Sequence, residues 1–449
     1  MSTYRSALGA FAVLVATGVI AEATGCGGSK QPPKEPAAAA PAPAPTVQAP
    51  PPDTGQPAMA TGALRMNASA EAAYRRGISA YFNGDLPGAK AAFQQAIAAD
   101  SRAYQAHYSL GVVLERLGDP SAQEAYRRAF TIQRDYEQAI AAYALYVAAR
   151  GRLTEADSFL QGKRGELPNS AGVIAALAEI KSMQRDTGSA QTLAQEALKK
   201  NADYRPAMVT IARDHYRNRR LDLALYALQA ILDGFGEDNP PRDRDNPDAH
   251  YLRGIILREQ GRRALAITDL KQAVAGRPDL VSARVELAAY YLEAGNAAEA
   301  QPLLEGALRF DPNNIIAHLN LGDCYRLAGR IPEAKAQFDW VLAHDTSLAQ
   351  VHYDLGLLYL FAPSVPGMDA KRQTEEAIAE IGKYQQMRGK LAAGQSDDSE
   401  ELLNRAKQKQ ADIQAQASAK EPASAPAPAG AAKPDAGSAG PATGKDGGK

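Results

Sequence analysis

The sequence predicts an all-α solenoid of about eight to nine helix-turn-helix repeats flanked by disordered termini. The first observation is a residue pattern that recurs about every 34 residues, a period typical of stacked helical pairs. The second is the composition: 45% of the 449 residues are apolar, and many are the alanines that close helix packing requires. Such a chain uses its length as one elongated unit and presents a surface to partners.

The pattern is clearest in the C-terminal half. One repeat places Tyr291, Gly295 and Ala300 in the same register as Tyr325, Gly329 and Ala334 of the next. The ninth repeat diverges, because an insertion rich in proline and glycine delays its second helix to about residues 370–388. The other repeats that hold this register are 70–103, 104–136, 137–170, 171–204, 205–232 and three between 247 and 348.

Each recurring residue type has a structural reason. The alanines at 300 and 307 let the second helix of a repeat approach the first, and the tyrosines fill the space between helices. Gly295 and Gly329 follow a first helix, where a left-handed residue ends the helix. Pro312 follows a second helix, which it prevents from continuing.

Over roughly 320 residues these positions resemble the tetratricopeptide repeat (TPR) family. The resemblance implies that the first helix of each repeat lines a concave groove that binds protein segments. Helical spacing predicts that Arg213, Arg217 and Arg220 share one face. Asp214 and Glu259 offer the alternative of a solvated, neutralised surface. The predicted partner-binding groove residues are Arg213, Tyr216, Arg217, Tyr251, Arg258, Leu319, Arg326 and Tyr353.

The N-terminus predicts a bacterial lipoprotein. Arg5 precedes an uncharged apolar run from 7 to 21, which suits a signal-peptide core and is short for a membrane span. Small residues then lead to Cys26, which resembles the cysteine that bacteria acylate after removing residues 1–25. The alternatives are an uncleaved anchor and an ordinary secretory signal.

Composition divides the rest of the chain. Residues 26–66 contain the lipidated cysteine and a Pro/Ala-rich tether that favours extended geometry. The solenoid is expected at 67–390. Residues 391–449 hold a weak helix near 399–416 and an Ala/Pro/Gly/Lys tail that we expect to be disordered.

Searches for reactive motifs favour a protein that is not an enzyme. There is no phosphate-binding loop, no zinc-protease helix and no nucleophile elbow in the sequence. The histidines at 107, 250, 318 and 352 share one repeat position, which predicts packing and not a metal site. Cys324 is expected to be a small buried residue. We therefore expect no cofactor, no metal and no small-molecule substrate.

These features predict a lipid-anchored scaffold on the periplasmic side of the outer membrane, binding other envelope proteins. The net charge of −1 argues against a nucleic-acid partner. A long array with a Pro/Ala tether resembles the TPR lipoproteins of the myxobacterial gliding motility machinery. The alternatives are a pilotin-like secretin assembly factor and an accessory subunit that recruits cell-wall or polysaccharide enzymes.

Overall fold

Nineteen helices in chain order form the described part of the protein, a computed structural model that describes residues 64–389 and 397–420. The helices form nine consecutive antiparallel pairs, repeats 1 to 9, followed by one last helix. Every regular element in these residues is a helix, so the predicted fold class is confirmed. The helices are α1 (Ala68–Phe82), α2 (Leu86–Ala99), α3 (Tyr104–Arg116), α4 (Ala122–Ile132), α5 (Glu137–Ala149), α6 (Leu153–Glu166), α7 (Ala171–Met183), α8 (Thr187–Lys200), α9 (Arg205–Arg217), α10 (Leu221–Leu232), α11 (Pro247–Glu259), α12 (Arg263–Gly276), α13 (Val281–Glu293), α14 (Ala297–Phe310), α15 (Ile315–Leu327), α16 (Ile331–His344), α17 (Ala349–Phe361), α18 (Ala370–Arg388) and α19 (Ser399–Lys420).

Short polar side chains fix where several helices begin. Asn67 accepts a hydrogen bond from the Ala70 amide at the start of α1, and Asn314 does the same for Ala317 in α15. An amide left free at a helix start gains a partner in this way, which stabilises the helix by about 1 kcal/mol. The sequence therefore sets both the entry point and the direction of these helices.

Within a repeat, the two helices approach closely because glycine faces an aromatic ring. A β-carbon added at Gly322 would lie 2.5 Å from Cε1 of Phe338, and one added at Gly77 would lie 2.5 Å from Cε1 of Phe93. Both rings are fully buried. The repeat spacing thus places a glycine of one helix against a large aromatic ring of its partner helix.

The turns between paired helices contain a residue in the left-handed region. Gly261, Gly295 and Gly329 have φ between 70° and 75°, as the sequence predicts. Repeats 4 and 5 differ, because Arg185 (φ 67°) and Arg219 (φ 59°) take this position. A side chain there costs roughly 1–2 kcal/mol per residue.

Two irregular segments interrupt the array. The first is residues 233–246, which join α10 to α11. Gly234 in this insertion has φ 72°, and a β-carbon added there would lie 2.5 Å from the Asn239 carbonyl oxygen. The second is the delayed start of α18 after the proline-rich loop. Helix α19 then covers the last repeat: Lys409 donates to the Leu360 carbonyl at 2.9 Å, and Ala406 is fully buried.

The superhelix closes on itself, so the first repeat touches the boundary between the sixth and seventh. Tyr81 at the end of α1 donates to Asp279 at 3.0 Å, although the two residues are 198 positions apart. Arg116 at the end of α3 reaches the same carboxylate at 3.2 Å, and the Tyr81 and Phe310 rings lie 5.8 Å apart. Asp279 is 1% exposed, so this closing contact is buried.

The N-terminal predictions fall outside the described residues. They concern the signal sequence, Cys26 and the tether up to residue 63, together with the tail beyond residue 420. Among the helices of the described residues, none combines the length and apolarity needed to cross a membrane.

Candidate functional site

The first helices of the repeats line the inner face of the superhelix, where the sequence places the groove. In α7 every residue from 171 to 180 is buried, including the residues on the side that faces inward. Charged side chains from α9 reach across to this helix. The inner face of the middle repeats is therefore filled by the chain itself.

Glu179 lies at the centre of the side chains that fill the inner face. Its carboxylate lies 2.8 Å from Nη1 of Arg213 and 2.5 Å from Nη2 of Arg217, and it accepts a hydrogen bond from Thr210 at 2.9 Å. Burial alone would raise the pKa of Glu179, but the two guanidinium groups outweigh it and lower the pKa to about 2. Arg213 and Arg217, two of the four predicted groove arginines, thus form buried ion pairs with an internal anion.

The predicted groove tyrosines are also committed to the chain. Tyr216 donates to Glu259 at 2.6 Å, and Tyr353 donates to Asp398 at 2.9 Å. Tyr251 and Leu319 are buried as well, at 8% and 2% exposure. The structure places these side chains on the inner row, where they fill space and satisfy internal acceptors.

Two predicted groove residues keep some exposure. The Arg258 side chain is 27% exposed and pairs with Glu286, and Arg326 is 17% exposed and pairs with Asp323 at 2.5 Å. Partner binding by any of the eight groove residues stays a prediction. What the structure adds is that the four arginines among them already pair with acidic side chains, which lie in another helix for Arg213, Arg217 and Arg258 and in the same helix for Arg326.

Arg220 departs from its expected position. The helical spacing from Arg213 predicts one shared face, but α9 ends at Arg217, and the left-handed Arg219 turns the chain. Arg220 instead occupies the N-cap position of α10 without a capping hydrogen bond from its side chain, and it is exposed. The shared-face prediction is wrong here, because it assumes a helix that continues through residue 220.

The repeated helical pairs match family models of the tetratricopeptide repeat at residues 74–134 and 209–281, and in a second form at 291–353. The matched segments cover the first, middle and late repeats in the same register as the helices. The chain therefore contains tetratricopeptide repeats. TPR proteins are in general non-catalytic scaffolds that bind proteins or peptides. No curated relative matches the sequence.

Solved TPR structures are similar to this chain at low sequence identity. Yeast Tom70 is 15% identical with a TM-score of 0.46, and the match covers 66% of this chain and 64% of the Tom70 chain. YrrB, described as a TPR protein with an unusual peptide-binding site, is 19% identical with a TM-score of 0.37, covering 48% and 97%. PilW, a type IV pilus biogenesis factor, is 18% identical with a TM-score of 0.34, covering 47% and 95%.

The repeated TPR histidines act as hydrogen-bonded links between helices. His250 places Nδ1 2.8 Å from Asp269 of α12 and Nε2 3.0 Å from the Arg244 carbonyl. His318 makes the same pair of contacts, to Gln337 and to the Pro312 carbonyl. The described residues contain no group of three or more potential metal ligands. His250 and His318 therefore each join the loop before a repeat to the second helix of that repeat.

Cys324 is buried, as the sequence predicts. Its Sγ donates to the Ala297 carbonyl at 3.1 Å, and burial raises the pKa of the thiol to about 11. The sulfur is therefore protonated near neutral pH. It serves as a small packing group in α15.

The surface that sequence reasoning missed lies on the outer side of TPR repeat 5. Tyr226 of α10 is 63% exposed, and Phe235 of the insertion is 43% exposed, with their rings 4.8 Å apart. Leu223, one turn before Tyr226, is 50% exposed. We call these three residues the outer patch. The sequence of α10 already indicated this surface, because its apolar residues cover more of the helix than the one face that packs against its neighbours.

Proposed function

We propose that this protein is a non-catalytic scaffold, anchored to the outer membrane by a lipid on Cys26, that helps assemble a bacterial envelope machine such as a gliding motility complex. Its partner docks on the outer patch formed by Leu223, Tyr226 and Phe235. The TPR fold supports a protein-binding role, and the Pro/Ala-rich sequence after Cys26 supports a tether facing the periplasm.

The exposed aromatic pair is the observation that carries the docking site. Tyrosine is among the residues that most often anchor protein interfaces. Burying a largely exposed tyrosine side chain contributes about 2 kcal/mol. Tyr226 and Phe235 already contact each other through their tilted rings, so little side-chain freedom remains to be lost when a partner covers them.

The side chains that already fill the inner face also favour the outer patch as the docking site. A partner entering beside Arg213 and Arg217 would have to displace Glu179, which both guanidinium groups hold. Breaking such a buried pair is strongly unfavourable. The outer patch requires no internal contact to break.

Photo-crosslinking from membranes tests the docking site. A photoreactive amino acid at Leu223 should capture a protein partner, and Tyr226→Ser combined with Phe235→Ser should abolish the capture. Phe82→Ser is the matched control, since Phe82 is an exposed aromatic of another repeat at 41%. Equal capture by the double variant and the control would reject the outer patch as the docking site.

The anchor has its own test. Cys26→Ser should leave an unprocessed precursor and abolish labelling by a palmitate analogue. Labelling that survives the substitution would contradict the lipoprotein proposal. Fractionation of labelled wild-type protein should then place it in the outer membrane. Recovery in the inner membrane would contradict that location.

A further inference from the structure

One edge of the solenoid carries the turns between the first and second helix of each repeat, which we call the turn edge. In repeats 3 to 6 these turns are rich in arginine. Counted from the residue after the first helix to the third residue of the second helix, they contain seven arginines and only three acidic residues, Glu155, Asp186 and Asp222. The arginines are Arg150, Arg152, Arg185, Arg219, Arg220, Arg262 and Arg263.

The other repeats differ in this segment. The turns of repeats 1 and 2 contain Asp85 and Asp119 and no basic residue, the turn of repeat 7 contains Glu299 and no basic residue, and the turn of repeat 8 pairs its one arginine, Arg330, with Glu333. Repeats 1 and 2 are also those whose turns approach the seventh repeat: a β-carbon at Gly84 would lie 2.8 Å from Arg309. The turns that contact the seventh repeat in the closed superhelix are therefore ones that contain no arginine.

Two of these arginines occupy the position that strains their backbone. Arg185 and Arg219 have φ of 67° and 59°, where the turns of repeats 3 and 6 use Gly151 and Gly261. Strained residues of this kind concentrate at functional sites. A glycine would adopt this turn conformation without the backbone strain. We therefore attribute the presence of arginine at these positions to its guanidinium group.

Contacts between repeats show that the turns form a continuous row. Arg185 donates to the Arg217 carbonyl of the next repeat. Arg219 reaches Glu259 at 2.7 Å, and Arg263 reaches Glu293 at 2.6 Å, each again one repeat further along. Arg220 and Arg262 are exposed and form no ion pair within the described residues. The row thus presents regularly spaced, partly uncompensated positive charges.

Apolar side chains accompany the arginines. Leu223 and Leu265 are 50% and 48% exposed, and each is the third residue of its second helix, in α10 and α12. The first belongs to the outer patch, which therefore continues directly into the turn edge. A partner on this surface meets guanidinium groups and leucine side chains in alternation.

We propose that the turn edge of repeats 3 to 6 binds an extended acidic protein segment with interspersed apolar residues. This inference rests on the proposed scaffold function and names the chemistry of the partner. Neighbouring first helices pack about 10 Å apart, so four turns span about 30 Å. An extended chain of about nine residues covers that length, with one carboxylate about every third residue.

Guanidinium groups favour such a ligand, because their planar donors bind a carboxylate with two parallel hydrogen bonds. An anionic membrane is the less suitable occupant. Its charge is uniform, so it would also face Glu155, Asp186 and Asp222, whereas a peptide can place its carboxylates between them.

The probe is an array of fluorescent peptides of about twelve residues, with glutamate at every third position and leucine between them. Binding to the full chain is measured by fluorescence anisotropy at low salt. The variant Arg220→Glu with Arg262→Glu reverses two charges that have no internal ion pair. The matched control, Arg134→Glu with Lys199→Glu, makes the same charge change at exposed sites on the opposite edge, in the loop after α4 and in the last turn of α8.

Acidic peptides should bind, and the turn-edge variant should weaken binding by about tenfold or more, while the control changes it by less than about twofold. Lysine in place of glutamate should abolish binding. The proposal is overturned if no acidic peptide binds, if both variants behave alike, or if the chain binds phosphatidylglycerol vesicles and not the peptides. Crosslinked partners captured at Leu223 in any of those cases would leave the scaffold proposal standing.

Discussion

The inner face and the turn edge use arginine in opposite ways. Arg213 and Arg217 lie 8% exposed on the inner face and share one buried carboxylate. Arg220, three residues beyond Arg217, is exposed and has no ion pair within the described residues. Sequence spacing cannot separate these roles, because the difference arises from which helix end faces the interior. Residue type alone therefore says little about where a TPR protein meets its partner.

Removing the internal anion should produce the largest effect. Glu179→Ala leaves two buried guanidinium groups without their carboxylate, and such a loss costs about 3–5 kcal/mol of unfolding free energy. Urea denaturation followed by circular dichroism measures it. Arg220→Ala on the turn edge should change stability by less than about 0.5 kcal/mol. Similar losses for the two variants would erase the contrast between inner and outer arginines.

Acidification tests the same carboxylate without removing it. The folded pKa of Glu179 is about 2, below the ordinary value of 4.5. Its stabilising contribution is therefore complete above about pH 4.5 and is lost as the pH falls toward 2. Glu179→Gln should flatten the stability profile between these values. A variant profile that parallels the wild type would mean that other carboxylates control acid unfolding.

The closing contact gives a smaller, more local effect. Asp279→Asn removes the charge that Arg116 and Tyr81 share, which should cost roughly 1–3 kcal/mol. Hydrogen exchange should speed up in both α1 and α13, because the contact joins them. Asp345→Asn is the control, since its carboxylate bonds Ser347 within its own loop. Faster exchange in α13 alone would show that the first repeat does not depend on this contact.

Relieving the backbone strain should give the smallest effect, with the opposite sign. Arg185→Gly and Arg219→Gly each remove roughly 1–2 kcal/mol of strain from the left-handed backbone. The greater conformational freedom of glycine in the unfolded chain offsets part of this gain in stability. We expect a net gain of about 0.5 kcal/mol each. Gly261→Ala is the reverse control and should destabilise. A loss of stability in the arginine variants would give these side chains a structural role instead of a binding one.

The sequence was enough to predict what depends on local rules. Register, helix pairing, the delayed α18 and the left-handed glycines all follow from spacing and turn chemistry within one repeat. The burial of Ala300 and Cys324 follows equally, because these positions face the partner helix in every repeat.

What could not be predicted depends on contacts between distant repeats. Glu179 is an ordinary acidic residue in the sequence, and only the approach of α9 to α7 gives it two guanidinium partners. The contact of Tyr81 with Asp279 depends on the superhelical pitch, which accumulates over several repeats. The outer patch was visible in the excess apolar residues of α10, but its pairing with Phe235 needed the insertion loop in place.

The contact between Tyr81 and Asp279 changes how the array would respond to tension. A linear array passes a pull from each repeat to its immediate neighbour, so an end repeat can peel away first. Here α1 is also fastened across 198 positions to the junction of repeats 6 and 7. A pull on the N-terminus is shared at once between the first repeat and the middle of the array. Detaching the first repeat then requires two attachments to break together.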